Sequence, residues 1–281
     1  LEAIMINKHF GRTSTNTALK VHSEKGVDWV TLDRASSLNA LNDQLTDELL
    51  DYFGRLYFER SVRIVVLRGA GRAFCAGLDL KSEQGFATNT AMNGPAAGLL
   101  QQRRISEIVV RMRRAPQPII ALVHGPACGG GFALALAADI RIAGHSARMN
   151  AAFVRLGLSG CDIGVSYFLP RVVGASVSAE LLMTGRFIDA DRALRVGLVS
   201  EVVADENLED CARTYVRDML GTSPLGLRLT KECLNASIDA PSLDTAIAME
   251  DRNQILFTQT NDVREAVASF MERRAPVFTD T

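Results

Sequence analysis

Residues 118–139, PIIALVHGPACGGGFALALAAD, restrict the possible folds more than any other stretch of the chain. The apolar run from Ile119 to Val123 reads as a buried strand. His124, Gly125 and Pro126 follow, and then three consecutive glycines, Gly129, Gly130 and Gly131, open an apolar, alanine-rich helix. A glycine triplet at a helix start lets a ligand lie against bare backbone, because no Cβ intervenes. The first amides of a helix have no acceptor within it and sit at its positive end. That geometry suits a carbonyl oxygen that turns negative during a reaction. Alone, the triplet fits a structural turn equally well.

A second segment shifts the balance. Residues 62–80 read VRIVVLRGAGRAFCAGLDL. The run Ile64 to Leu67 has the pattern of another buried strand, and Gly69, Gly71 and Gly77 come after it. Two glycine-containing loops, each leaving a buried strand, could aim two backbone N–H groups at one oxygen.

The rest of the chain supplies an α/β frame. Alternation over Val27–Leu32 predicts a strand paired with Leu19–His22 across a turn at Lys25-Gly26. Asn42 begins a helix whose Leu45, Leu49 and Phe53 share a face with Leu41. Residues 81–98 are small and polar, and a flexible substrate lid is expected there. A helix with Ile105, Ile108, Val109 and Met112 on one stripe runs from Leu99 to Arg114, where Ala115-Pro116 ends it. Short strands are expected at 140–143 and 147–151. Helices are expected at 177–184, 207–220, 224–237 and 242–273, the last broken near Asn261. Strand–loop–helix repetition indicates an α/β class. The division expected is a loosely held lead-in over 1–17, open to being partly an expression remnant before Met5, a core over 18–175 and a helical region over 176–281.

Composition removes several functions. Lysine plus arginine total 31 against 32 acids, so no global basic field invites nucleic acid or an anionic membrane surface. No long uncharged apolar run predicts a spanning helix, and the first residues lack a secretory layout. The 5 cysteines are scattered, without CxxC pairs or a Cys/His cluster. Reduced thiols, a cytoplasmic location and no metal site are the expectation.

AFCAGLDL, followed by PIIALVHGPACGGGFALALAADIRIA, resembles the enoyl-CoA hydratase/isomerase (crotonase) family. VTLDRASSLNAL upstream continues the resemblance, as do ARMNAAFVRLGL, LPRVVG, LLMTGRFIDADRALRVGLVSEVV and FMERRAPVF downstream. It implies a spiral of stacked β-β-α turns, then a helical C-terminal region for trimerisation, and hence a homotrimer or a dimer of trimers. It also implies an acyl-CoA thioester as substrate and no separate cofactor. By motif position, the backbone N–H groups of Leu78 and Gly130 correspond to the family's oxyanion hole. Two fixed donors there would stabilise an enolate more than the ground-state thioester. Arg34, Ser37, Leu38, Ala76 and Leu78 are the implied CoA-binding residues. Many relatives carry lysine where Ser37 stands, and Lys81, Arg103 and Arg273 are candidates to replace that phosphate contact.

The chain departs from the hydratase pattern at both usual glutamates. Ala133 stands at the first position and Phe153 at the second, and both are placed in the substrate pocket instead. Neither side chain can move a proton. Asp162, in GLSGCDIGVSYFLPR, is the nearby carboxylate, and some isomerase-type relatives have aspartate in the equivalent loop. Apolar Ile163 and Val165 beside it would raise its pKa toward the range useful for a base. A turn aspartate beside Gly164 is the competing reading. Asp79 is expected to fix its own loop, His124 to pack, Asp139 to satisfy local backbone and Asp189 to cap a helix. Glu83 is a weaker candidate in the lid, and Cys161 has no apparent histidine to activate it. Double-bond isomerisation, with Asp162 as the proton shuttle, is the favoured activity. Hydration of a 2-enoyl-CoA by Asp162 and a second group is the alternative within the family, and a non-catalytic acyl-CoA binding protein is the alternative outside it.

Overall fold

The computed structural model describes residues 17–81 and 86–281. The chain enters through an antiparallel hairpin, β1 (Leu19–Glu24) and β2 (Val27–Leu32), paired from Leu19 with Leu32 to Glu24 with Val27. Lys25 and Gly26 both have positive φ (49° and 81°), the backbone a two-residue hairpin turn requires. Asn42 caps α1 (Asp43–Leu56) by accepting from the Leu45 amide, and its Leu45, Leu49 and Phe53 are buried as their spacing predicts.

Next come β3 (Ile64–Gly69), α2 (Phe86–Arg114), β4 (Ile119–Val123), the short β5 (Pro126–Cys128), α3 (Gly130–Ala137), β6 (Ile140–Gly144) and β7 (Arg148–Asn150). The second half holds α4 (Val165–Thr184), β8 (Ile188–Asp189), α5 (Ala190–Arg195), β9 (Glu201–Val203), α6 (Leu208–Leu220), α7 (Pro224–Ser237), α8 (Leu243–Thr258) and α9 (Asn261–Glu272). The main sheet runs β1-β2-β3-β4-β6-β9, parallel from β2 onward. Parallel neighbours need crossover connections, which the intervening helices supply. A smaller sheet, β5-β7-β8, sits beside it.

Alternation along the strands divides the core into two layers. Val30, Leu32, Val65, Leu67, Ile119, Ala121 and Val123 face α1, α2 and α3. Val27, Trp29, Ile64, Val66, Ile120 and Leu122 face α6 through Leu208, Ala212 and Val216.

Four elements differ from the sequence expectation, two helices by where they begin and two strands, β8 and β9, by lying in the region expected to be helical. Helix α2 begins at Phe86 rather than Leu99, so the expected lid is largely helical, with a break at Gly94 (φ 75°) where the backbone leaves helical geometry before Pro95. Small and polar residues hid this helix because they leave no apolar stripe to read. The rest of the expected lid, with Glu83, and residues 1–16 of the lead-in lie outside the described residues. Helix α4 begins at Val165, not 177, with a break at Gly174 (φ 77°). The two-residue β8 and three-residue β9 were too short to carry a readable alternation. Among the described residues, no helix is long and apolar enough to cross a membrane.

Two polar clamps hold loops that the sheet cannot. Asn39 is fully buried; its Nδ2 donates to the carbonyls of Ala70 (2.8 Å) and Ala73 (2.7 Å), and its Oδ1 accepts from the Arg34 amide. Lys231, buried on α7, reaches Asp139 (2.8 Å) and donates to the Gln117 carbonyl (2.8 Å). Asp139 also accepts from Arg113 and from the Ile119 amide, as expected of a residue that satisfies local backbone. Replacing Asn39 by Leu takes a donor from the carbonyls of Ala70, Ala73 and Phe74 and an acceptor from the Arg34 amide. The expected loss is about 1–3 kcal/mol of stability; chemical denaturation should show a lower midpoint, and an unchanged midpoint would contradict the clamp.

Candidate active site

The stretch Cys75–Asp79 behaves as an extra strand between two partners. On one side the Cys75 amide donates to the Pro126 carbonyl (3.2 Å), and the Cys128 amide donates to the Cys75 carbonyl (3.0 Å). On the other side the Ala76 amide donates to Leu38 (2.9 Å), the Leu41 amide to Gly77 (2.7 Å) and the Asp79 amide to Leu41 (2.9 Å). In this parallel pairing, Leu41 is bonded to the residues flanking Leu78. The Leu78 N–H therefore faces the opposite side, where β5 and the glycine triplet lie. Gly130 is the first residue of α3, so its N–H has no acceptor within the helix. Among the described residues neither amide has a hydrogen-bond acceptor.

Glycine is required at this seam. Gly77 has φ 97°, and a Cβ added there would lie 2.7 Å from the Cys128 oxygen and 3.4 Å from the Gly130 nitrogen. A Cβ at Gly131 would come within 2.0 Å of the Cys75 oxygen. The two glycine loops thus touch backbone to backbone. The surroundings of Gly130 are apolar: a Cβ there would meet Leu41 at 3.0 Å and Ile163 at 3.6 Å, and the Phe153 ring packs against Gly129.

A cavity of about 590 Å³ opens beside this seam and gathers Arg34, Ser37, Leu38 and Leu78 with Arg72, Asp79 and Lys81. Four of the residues expected to bind CoA thus line one space. Ala76, bonded to Leu38, lies on the strand behind it. The Arg34 guanidinium is engaged within the protein: Nη2 pairs with Asp79 (2.8 Å) and Nη1 donates to the Ala40 carbonyl. Asp79 in turn accepts from the Lys81 amide, so it fixes its loop as expected. Of the basic residues considered in place of Ser37, Lys81 lines the cavity, whereas Arg103 and Arg273 do not. Arg72 also lines it and escaped the sequence reading, since one arginine in a glycine loop carries no signal of where it points.

Ala133 and Phe153 are both buried in the apolar core. Asp162 lies in the loop before α4 and is partly buried. Its Oδ1 accepts from the Ile163 amide (2.8 Å) and from Gln102 Nε2 on α2. Burial raises its carboxyl pKa above the usual aspartate value, against these two hydrogen bonds, which lower it. Ile163, next in sequence, is the residue that packs toward Gly130, and it holds φ at 45°. A β-branched residue in the left-handed region stores on the order of 1–3 kcal/mol of strain, a feature that clusters at functional sites. Gln102 had no signature in the sequence, because it lies 60 residues from its partner.

Other candidates fall away from this place. His124 touches the Gly71 carbonyl and lines a separate cavity with Ser146, Asp205 and Glu209. Asp189 caps α5 by accepting from the Arg192 amide, as expected. Cys161 is exposed. Burial pushes the thiols of Cys75 to about 12 and Cys128 to about 11, so both stay protonated near neutrality. No cluster of metal-ligating residues occurs among the described residues.

Residues 22–281 match the family described as enoyl-CoA hydratase/isomerase. The chain belongs to that family. It is 38% identical over 270 residues to a protein of Mycobacterium tuberculosis named a probable enoyl-CoA hydratase, covering 96% of this chain and 95% of the relative. It is 37% identical over 258 residues to the 1,2-epoxyphenylacetyl-CoA isomerase of Escherichia coli, covering 92% and 97%. A crystal structure of enoyl-CoA hydratase from Bacillus anthracis aligns with a TM-score of 0.87 at 31% identity, covering 94% of this chain and 100% of that one. The fold is accordingly crotonase-like: an α/β core followed by a helical C-terminal region.

In this enoyl-CoA hydratase/isomerase family member, Gly77→Ala places an L side chain in left-handed backbone, at about 1–2 kcal/mol for handedness alone. The added Cβ also pries the two loops apart. The expected outcome is a lower thermal midpoint and roughly a 100-fold fall in turnover of an enoyl-CoA, read by thermal denaturation and steady-state assay. Turnover at the parental rate would mean that the seam does not set the site.

Proposed function

We propose that this family member moves a double bond within an enoyl-CoA thioester, with Asp162 as the proton carrier. The observation that carries this reading is the pairing of buried, apolar Ala133 and Phe153 with a partly buried Asp162 whose neighbour packs against Gly130. One carboxylate suffices for isomerisation, because the proton taken is the proton returned. The Asp162 carboxylate removes a proton from the α or γ carbon, and the electron pair of that C–H bond flows into the thioester to form a dienolate. The Leu78 and Gly130 amides donate to the dienolate oxygen, where each donor is worth about 2.7–4 kcal/mol. The carboxylic acid then protonates the other end, and the double bond has migrated with no atom gained or lost. The cavity beside Leu78 supports a CoA site, with Arg72 and Lys81 as its cations. The isomerase name of the Escherichia coli relative adds support.

Hydration of a 2-enoyl-CoA is the second reading, favoured by the hydratase names of the Mycobacterium and Bacillus relatives. Product mass separates the two, since a hydratase product gains one water and an isomerase product does not. Self-association is proposed as well: α8 and α9 leave Leu243, Ile255, Leu256, Val267, Phe270 and Met271 exposed, apolar side chains that a partner surface would cover.

Asp162→Asn keeps the size and removes the base. Turnover should fall about 10²–10⁴-fold with acyl-CoA affinity retained by calorimetry. A variant as active as the parent on 2-enoyl and 3-enoyl substrates would sink the proposal. A base must be deprotonated to act, so kcat/KM should decline as pH falls through the Asp162 pKa. Because burial raises that pKa, the decline should begin at a higher pH than an ordinary aspartate would give; a rate that stays flat down to the ordinary aspartate range would exclude Asp162.

A further inference from the structure

Helix α2 contributes one polar group to the Asp162 carboxylate, and it does so asymmetrically. Gln102 Nε2 and the Ile163 amide both donate to Oδ1. Among the described residues, Oδ2 accepts from no donor. We infer that Gln102 is a positioning residue: with Ile163 it immobilises Oδ1, which leaves Oδ2 as the oxygen that exchanges the substrate proton. The inference rests on the reading of Asp162 as the base.

The geometry explains why both donors are needed. A carboxylate held by one hydrogen bond can rotate about its Cβ–Cγ bond and exchange its oxygens. Two donors arriving from different elements, a helix side chain and a loop amide, set the plane of the group. The Ile163 amide reaches back to the side chain of its own predecessor, and Gln102 approaches the same oxygen from α2. The Ile163 amide and the Gln102 side chain thus hold one carboxylate.

Charged neighbours leave Gln102 without a competitor. On α2, Arg104 pairs with Asp43 and Asp47, and Arg103 is exposed. On α4, Tyr167 and Arg171 engage Asp239. Arg155, in the short turn after β7, donates to the Gly185 carbonyl. Helix α3 carries no ionisable residue, and Cys161 is exposed. The two hydrogen bonds are therefore the polar interactions that oppose burial in setting how readily Asp162 ionises.

The test removes the donor and keeps the volume, with Gln102→Leu and Gln102→Met in the full chain. Folding is checked by thermal denaturation. The Asp162 carboxyl is titrated by ¹³C NMR of protein labelled at aspartate carboxyls, and its resonance is assigned by its absence in Asp162→Asn. The expected result is an Asp162 titration displaced upward by about 1–2 pH units. The acid limb of kcat/KM should move by the same amount while acyl-CoA affinity stays within about twofold. In the Asp162→Asn background the same substitutions should change turnover no further, as expected of a residue that acts through Asp162. An unmoved titration in either folded variant, or an acid limb that stays in place, overturns the role of Gln102 even where Asp162→Asn is inactive. Full activity of Asp162→Asn would overturn the catalytic reading itself, and the role of Gln102 with it.

Discussion

The seam formed by residues 75–79 is the constraint on which the rest of the site depends. This extra strand pairs with β5 through Cys75 and with residues 38–41 through Ala76, Gly77 and Asp79. Because it is bonded on both sides, the peptide of Leu78 has one orientation available. The glycines are consequences of that pairing rather than ornaments of a loop: Gly131 has a backbone oxygen where its Cβ would be, and Gly77 has another. Asn39 and the Arg34–Asp79 pair then tie the seam to the loops after β2 and β3. Arg34, which lines the cavity, is also part of this scaffold, since both ends of its guanidinium have protein partners.

Much of this was legible from residue order, for identifiable reasons. Buried parallel strands announce themselves as short apolar runs, and Ile64–Leu67 and Ile119–Val123 did so. The Asn42 cap and the leucines after it marked α1. What failed had no periodicity to offer. The first turns of α2 are small and polar, and β8 and β9 are shorter than one readable alternation. In the site, backbone positions were easier to anticipate than side chains, because glycine motifs specify local geometry. Leu78 and Gly130 could be picked out by motif position; Arg72 and Gln102 could not, since nothing near them in sequence indicates what they face. Asp162 is an intermediate case: its apolar neighbours suggested burial, and its contact with α2 needed the fold.

The chemistry available follows from what surrounds the glycines. Leu41, Phe153, Ile163 and Ala133 make an apolar wall, in which a fixed amide dipole acts more strongly than in water and a lone carboxylate ionises less readily. The proposed proton relay, which begins and ends on Asp162, draws its support from this wall.

The Lys231 clamp has a consequence for how the two halves of the chain depend on each other. Its ammonium is buried against Asp139, at the entrance to β6, and against the carbonyl of Gln117, just ahead of the strand that delivers the glycine triplet. Burial lowers the ammonium pKa, and Asp139 pulls it back up. A chain shortened ahead of α7 would leave the partly buried Asp139 with Arg113 as its remaining ion-pair partner. The helical tail is therefore no detachable appendage: the sheet-bearing half is electrically incomplete until α7 has arrived.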